Sequence, residues 1–170
     1  MLRTERLCLR NFCAADAEAL FAYRNDKRCN RYQRYDRTDL AYLQEFVSDN
    51  ANCAFLSTEE EQHYAIVRQE DAAVVGDVSV FYTQKDNCFT LGITIAPIFW
   101  RQGYAFELLR ALVEQLQKRY PTVDIVALIE KENEQSIGLF RKLGFVEECY
   151  AESIESYVYT IFGKGEKDAH

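Results

Sequence analysis

The chain has 170 residues, which suits one domain with a single core, and we expect one domain over residues 1–170. Its formal net charge of −7 argues against nucleic acid as a partner, because neutralising phosphates requires a basic face. No apolar run approaches the roughly 18 residues that a membrane span needs, and the stretch Met1–Arg6 is charged. We therefore expect a cytoplasmic protein without a membrane partner.

The six cysteines, at positions 8, 13, 29, 53, 88 and 149, form no Cys-x-x-Cys pair and have no histidine at metal-ligand spacing. We expect reduced, mostly buried thiols and no metal site.

The first part of the chain predicts one strand and two helices. Leu2, Leu7 and Leu9 alternate with polar residues, which is typical of a strand over the first nine or ten residues. The segment Ala14–Tyr23 has apolar residues at helical spacing, and Thr38 is a suitable N-cap for a second amphipathic helix.

Three strands follow. The segments His63–Val67 and Val74–Tyr82 alternate with period two on either side of a polar turn, which predicts an antiparallel pair. Alternating apolar and small or polar residues then predict a strand over residues 88–96 that ends at Pro97.

The next elements predict a βαβ unit. Residues 103–119 carry an apolar stripe typical of a packed helix. The members of the stripe are Phe106, Leu109, Leu112, Val113 and Leu116. Residues 123–129 are apolar at nearly every position, as in a strand covered on both faces, so the strands over 88–96 and 123–129 should be parallel.

A helix over residues 134–143 should end at Gly144, because glycine readily adopts the left-handed conformation of a helix C-terminus. Two strands, over 145–150 and 157–162, complete the predicted elements.

The stretch Trp100–Ala105 joins a predicted strand to a predicted helix. The N-terminus of a helix presents unpaired backbone N–H groups and the positive end of the helix dipole, so it can bind a phosphate. Gly103 would let the backbone approach such a ligand, and Arg101 could add charge. The residues leave two alternatives open: a glycine that only eases a tight turn, and a general nucleotide-phosphate site.

Three motifs resemble those of one family. Trp100-Arg-Gln-Gly-Tyr-Ala105 is similar to the pyrophosphate-binding motif Gln/Arg-x-x-Gly-x-Gly/Ala of the GNAT superfamily of acyl-CoA-dependent N-acetyltransferases. Asn133-Glu-Gln-Ser136, followed by Arg141-Lys-Leu-Gly-Phe145, resembles the family's fourth-helix signature. The opening Thr4-Glu-Arg-Leu-Cys-Leu-Arg10 resembles the branch that includes ribosomal-protein N-terminal acetyltransferases.

The resemblance implies an α+β (mixed α/β) fold of the GNAT type. A mixed, mostly antiparallel sheet of six to seven strands would be flanked by about four helices and splayed between the strands over 88–96 and 123–129. Acetyl-CoA would be the co-substrate, with its pantetheine arm in that gap, and an amine acceptor would be the other partner. The implied coenzyme-binding residues are Leu91, Ile93, Ile95, Arg101, Gln102, Gly103, Tyr104, Ala105, Asn133 and Ser136. For Asn133 and Ser136 the alternatives are a helix N-cap and a solvent-facing polar residue.

Two positions depart from the family pattern. Trp100 stands where the motif begins with glutamine or arginine, and Phe140 stands where many members place a tyrosine that protonates the departing thiolate. Phenylalanine cannot donate a proton. Another group or water therefore does so, or the thiolate leaves unaided, which a thiol pKa near about 8.5 allows.

The strand over 88–96 carries no carboxylate or histidine that could deprotonate the amine. Asp77, on the neighbouring strand, and Glu107, in the first helical turn, are the candidate bases. The alternatives for them are an exposed strand carboxylate and a partner of the helix dipole.

The acceptor is expected to be an amine of low pKa. An α-amine with a pKa near about 8 is about one-tenth neutral at pH 7, whereas a lysine near about 10.4 is neutral in a few parts per ten thousand. We therefore hypothesise a peptide N-terminus or a small amine.

Other assignments stay open from the sequence. The basic segment Arg24–Arg37 is either a solvated surface or a grip for an anionic ligand. A non-catalytic acyl-CoA sensor or regulatory module is the alternative to an enzyme, and a homodimer is compatible with either.

Overall fold

The computed structural model describes residues 1–165, in which it has eight strands and four helices. The strands are β1 (Leu2–Arg3), β2 (Leu7–Arg10), β3 (Gln62–Arg68), β4 (Val74–Thr83), β5 (Cys88–Ile95), β6 (Asp124–Ile129), β7 (Val146–Ala151) and β8 (Ser156–Ile161). The helices are α1 (Ala17–Arg24), α2 (Leu40–Asp49), α3 (Tyr104–Arg119) and α4 (Glu134–Lys142), with 3-10 turns at Ala14–Asp16, Pro97–Phe99 and Glu152–Ile154.

The strands form one mixed sheet in the order β1-β2-β3-β4-β5-β6-β8-β7. Only the β5–β6 pair is parallel among these neighbours. The predicted fold class is confirmed. The sheet has eight strands rather than six or seven, because the first predicted strand is two. The Thr4 N–H donates to the Leu7 carbonyl (2.9 Å) and the Leu7 N–H to Thr4 Oγ1 (3.1 Å), which turns the chain back on itself.

Helices cover both faces of the sheet, as the alternation along β3 shows. Tyr64 and Ile66 belong to the apolar cluster that α3 and α4 complete. Ala65 and Val67 point the other way, into the cluster formed with α1 and α2. Each helix therefore buries its apolar side against one face of the strands.

Two local predictions are wrong in detail. Asp39 rather than Thr38 caps α2, since its Oδ1 accepts from the Tyr42 N–H (3.0 Å). Phe106 is only half-buried, and the buried side of α3 includes Tyr104 instead, because the helix begins at that residue with its ring toward the core.

β5 and β6 form a fork. They pair only over Cys88–Thr90 and Asp124–Val126. Beyond those residues β5 continues beside β4 and β6 continues beside β8, so the predicted splay between these two strands is confirmed. The prediction that residues 123–129 are covered on both faces is wrong at Leu128, which is 45% exposed. That face of β6 is open because the residues that α1 and α2 cover lie mainly on β3.

Gly144 follows α4 with φ +97°, the left-handed end that was predicted. None of the six cysteines is disulfide-bonded, but the expectation of mostly buried thiols is wrong, since Cys13 and Cys149 are exposed and only Cys29 and Cys88 are buried. Within residues 1–165 no helix has the length and apolar character needed to cross a membrane.

Candidate functional site

A strained turn connects β5 to α3. In this turn, residues Trp100–Gly103 (the glycine turn), Arg101 has φ +60° and Gly103 has φ +78°. The left-handed conformation costs a residue with a side chain roughly 1–2 kcal/mol, and strain of this kind is often found at functional sites. The Trp100 indole N–H donates to the Ile95 carbonyl (2.7 Å), which ties the turn to the end of β5. Trp100 therefore has a structural role at the position where it departs from the motif.

The glycine turn and the fork open into one large cavity of about 740 Å³. It brings together nine of the ten predicted coenzyme-binding residues. These are Ile93, Ile95, Arg101, Gln102, Gly103, Tyr104, Ala105, Asn133 and Ser136. The tenth, Leu91, lines an adjoining small cavity of about 270 Å³ deeper in the fork. Their roles in binding stay predictions, but their positions form one continuous surface.

The carbonyl groups of β5 that the predicted site uses already have partners. Ile93 O accepts from the Gln33 side-chain amide (3.3 Å), and Ile95 O accepts from Trp100. A carbonyl oxygen has two lone pairs, so each can accept a second hydrogen bond from a ligand amide.

The polar residues of α4 lie at the junction of the two cavities. Asn133 caps the helix, since its side-chain oxygen accepts from the Ser136 N–H (3.3 Å), and both residues line both cavities. Asn133 is therefore a helix N-cap, as the alternative interpretation predicted. An N-cap residue can also contact a ligand, so the two roles are compatible. Phe140 lines the small cavity and packs edge-to-face against Phe145 (ring centroids 5.0 Å apart), so this position supplies no proton donor.

Asp77 lies in a buried network on the α1 side of β4. It accepts hydrogen bonds from the Tyr23 hydroxyl and from Arg24 Nη2 (3.1 Å), and its side chain is 8% exposed. Burial alone would lower the pKa of Arg24, but Asp77 raises it on balance. Burial, together with the charge of Asp77, raises the pKa of Tyr23 well above its usual range. The alternative interpretation of Asp77, an exposed strand carboxylate, is therefore wrong. Asp77 also does not line either of the described cavities.

Glu107 connects α3 to the far edge of the sheet. Its carboxylate accepts from Thr4 Oγ1 (2.6 Å), the Arg6 N–H (2.8 Å) and Arg6 Nε (2.7 Å). Burial would raise the pKa of Glu107, but these bonds lower it on balance. Both candidate bases are occupied by intramolecular partners, and their catalytic role stays a prediction.

The basic segment is largely neutralised within the protein. Four of its cations lie within 4 Å of a carboxylate. The pairs are Arg24–Asp77, Arg28–Asp26, Arg34–Glu130 and Arg37–Asp39. Arg24 is buried, whereas Arg28 and Arg31 line the large cavity, so the solvated surface and the grip for an anionic ligand both stay open.

Part of the same segment, residues 30–35 (the strap), crosses the open face of the fork. Each of its last four residues bonds through its side chain to an element around the fork. The bonds are Tyr32 Oη to Glu132 O (3.1 Å), Gln33 Nε2 to Ile93 O (3.3 Å), Arg34 Nη2 to Ile154 O (2.7 Å) and Tyr35 Oη with Thr94 Oγ1 (2.9 Å). The alternating tyrosines and arginines were visible in the sequence, but nothing there indicated their partners.

Comparisons with known proteins agree with this geometry. The family model described as "Acetyltransferase (GNAT) domain" matches residues 6–146. A Bacillus subtilis (strain 168) protein named "Uncharacterized N-acetyltransferase YoaA" is 29% identical over 150 residues, which cover 87% of this chain and 84% of that protein.

Two solved structures share the fold. A Vibrio cholerae protein provisionally named a ribosomal-protein-serine acetyltransferase has a TM-score of 0.73 at 22% identity, covering 94% of this chain and 95% of that one. The spermidine N-acetyltransferase of Vibrio cholerae, in complex with CoA and spermine, has a TM-score of 0.73 at 17% identity, covering 92% of this chain and 95% of that one. At these identities the structures show the fold alone.

Proposed function

The chain belongs to the GNAT family of acetyltransferases, and from that premise we propose that it transfers an acetyl group from acetyl-CoA directly to a primary amine. The expected acceptor is a peptide N-terminus or a small amine. The observation that carries this proposal is the fork of β5 and β6, which opens into the cavity at the glycine turn.

The residues around the large cavity suit a coenzyme with a diphosphate and an amide-bearing arm. The first N–H groups of α3 follow Gly103, where a diphosphate would meet the positive end of the helix dipole. The edge of β5 beyond Thr90 is not paired with β6, so its backbone can bond an extended arm as a further strand would. When bound, the coenzyme supplies the thioester carbonyl that an amine attacks.

The protein contributes position and polarity to this reaction. Among the described residues that line the two cavities, no serine, threonine or cysteine side chain is hydrogen-bonded to a carboxylate or a histidine, which favours direct transfer without an acyl-enzyme. A β5 backbone N–H in the fork is the candidate donor to the oxyanion. Phe140 cannot protonate the thiolate, which takes its proton from another group or from water, or leaves unaided.

Thiol release from acetyl-CoA tests the proposal. The probes are matched peptides in which the one free amine is either the α-amino group or a lysine side chain, assayed with small amines between pH 6.5 and 9.5. We expect the α-amine peptide to react at least about tenfold faster at pH 7, because more than a hundredfold more of it is neutral.

Three results would point elsewhere. Faster acetylation of the lysine peptide would overturn the low-pKa acceptor. Saturable acetyl-CoA binding without turnover on any amine would favour the acyl-CoA sensor. Competition by ATP as strong as that by CoA would favour a general nucleotide-phosphate site.

A further inference from the structure

The small cavity lies at the inner end of the fork, where the proposed function would bring the acceptor to the thioester. Its walls are Leu91–Ile93 of β5, residues 127–130 at the end of β6, and Ser136 and Phe140 of α4. Tyr32–Arg34 of the strap close it from above. It adjoins the large cavity along Ile93, so a ligand arm that runs along β5 from the glycine turn would point into it.

Two charged side chains line the small cavity among the described residues: Glu130 and Arg34. They lie opposite each other, and Arg34 Nη2 is 3.4 Å from Glu130 Oε1. The arginine is held more closely by the Ile154 carbonyl, at 2.7 Å. Because the side chains are 29% (Glu130) and 57% (Arg34) exposed, their attraction is of the weak surface kind, about 0–1 kcal/mol.

Glu130 is therefore the available carboxylate of this site. Its second oxygen, Oε2, makes no hydrogen bond within residues 1–165. Asp77 and Glu107, in contrast, each accept hydrogen bonds from two side chains. A new N–H donor could bond Glu130 without first breaking a strong interaction.

We propose that Glu130 faces the acceptor nitrogen and takes its proton as the new amide bond forms; this rests on the proposed function. The neutral amine forms the C–N bond with its lone pair, and its nitrogen becomes positive. The excess proton passes from that nitrogen to Glu130 and then to water. The C–S bond breaks with its electron pair on sulfur, which leaves as thiolate.

A carboxylate helps at this position because the acceptor nitrogen becomes positively charged only as the C–N bond forms. A neutral amine gains little from Glu130 in the ground state, whereas the nitrogen carries positive charge in the transition state. An interaction that is stronger in the transition state raises kcat rather than only tightening binding. Arg34 Nη2 makes its shorter bond to the Ile154 carbonyl (2.7 Å) and only a longer one to Glu130 Oε1 (3.4 Å), so Glu130 keeps most of its capacity to accept.

The test substitutes Glu130→Gln, which keeps the shape and removes the charge. Glu114→Gln is the matched control, because Glu114 also pairs with one arginine at 3.3 Å but lies on α3 outside both cavities. With the best amine from the panel above, we expect Glu130→Gln to lower kcat about 100-fold or more while the Kd for acetyl-CoA stays within twofold. Glu114→Gln should match the wild type in both.

A binding measurement gives a second readout that does not depend on turnover. Saturation-transfer NMR with n-propylammonium as the probe, on protein loaded with CoA, should show contact in the wild type and in Glu114→Gln, and lose it in Glu130→Gln. If Glu130→Gln fails to fold, Glu130→Asp replaces it, and the shorter side chain should lower kcat about tenfold.

The outcomes separate the two proposals. If the wild type turns over and Glu130→Gln keeps kcat within threefold, the role of Glu130 is refuted while the acetyltransferase stands. If the wild type acetylates no amine, the proposed function fails, and retention of the propylammonium contact in Glu130→Gln would then also exclude Glu130 as the amine-facing group.

Discussion

A single carboxylate at position 103 should abolish tight coenzyme binding. Gly103 has φ +78° immediately before α3, and the nearest atom to an added Cβ is Arg6 Nη2, at 3.5 Å. A side chain therefore fits, at the cost of a left-handed backbone. Gly103→Asp would place a negative charge where the coenzyme diphosphate is expected.

The expected loss follows from Coulomb's law. Two like unit charges about 4 Å apart repel by about 1 kcal/mol in water and about 4 kcal/mol at the effective dielectric constant of a protein surface. The diphosphate carries more than one charge, while Arg6 screens part of the repulsion. We expect a loss of about 2–4 kcal/mol, or roughly 30- to 900-fold in the Kd for CoA.

Isothermal titration of CoA measures this loss, and two controls separate charge from strain. Gly103→Ala has the backbone strain without the charge and should weaken binding far less. Gly144→Asp has both the backbone strain and the negative charge, since Gly144 has φ +97° and no atom lies within 4 Å of an added Cβ. This position lies outside the cavities. It should lose stability, about 1–2 kcal/mol, but not affinity. A Kd for Gly103→Asp within threefold of the Gly144→Asp value would refute the diphosphate assignment.

The remaining predictions concern stability and a spectroscopic signal. Asp77→Ala should cost about 3–5 kcal/mol in urea unfolding, because it leaves the buried Arg24 without its counter-ion; a loss below 1 kcal/mol would contradict this. The lowered pKa of Glu107 means that its charged form stabilises the fold above the ordinary pKa of about 4.3. The Tm advantage over Glu107→Gln should be full at pH 7 and disappear as the pH falls through the lowered pKa, and an equal gap at pH 7 and pH 3 would exclude the effect. Trp100, the single tryptophan, lines the large cavity, so CoA should change the intrinsic fluorescence, and Trp100→Phe should remove that change while binding persists.

The sequence predicts well what depends on local pattern. Period-two alternation over residues 88–96 and the apolar run over 123–129 located the two prongs of the fork. Gly103 located the turn, because a left-handed residue before a helix has few alternatives to glycine. Nine of the coenzyme-binding residues that the family resemblance implied line one cavity, because they lie in or beside these elements.

The sequence fails where the deciding contact joins distant positions. Glu107 bonds Arg6 across 101 positions, and Arg34 bonds Ile154 across 120, which no periodicity reveals. Asp77 was a candidate base with an exposed strand carboxylate as the alternative, but neither interpretation indicated the buried ion pair with Arg24 of α1. Glu130 escaped notice because only folding brings the strap over the end of β6.

The fork has a mechanical consequence. β5 and β6 share three residue pairs, Cys88–Thr90 with Asp124–Val126. The sheet therefore consists of two parts, β1 to β5 and β6 to β8, joined by a short stretch of pairing. A ligand arm that bonded to both β5 and β6 would extend the hydrogen-bonded connection between the two parts. Because one apolar cluster joins both halves through α3 and α4, we expect a bound arm to raise the stability of the whole domain rather than of one half.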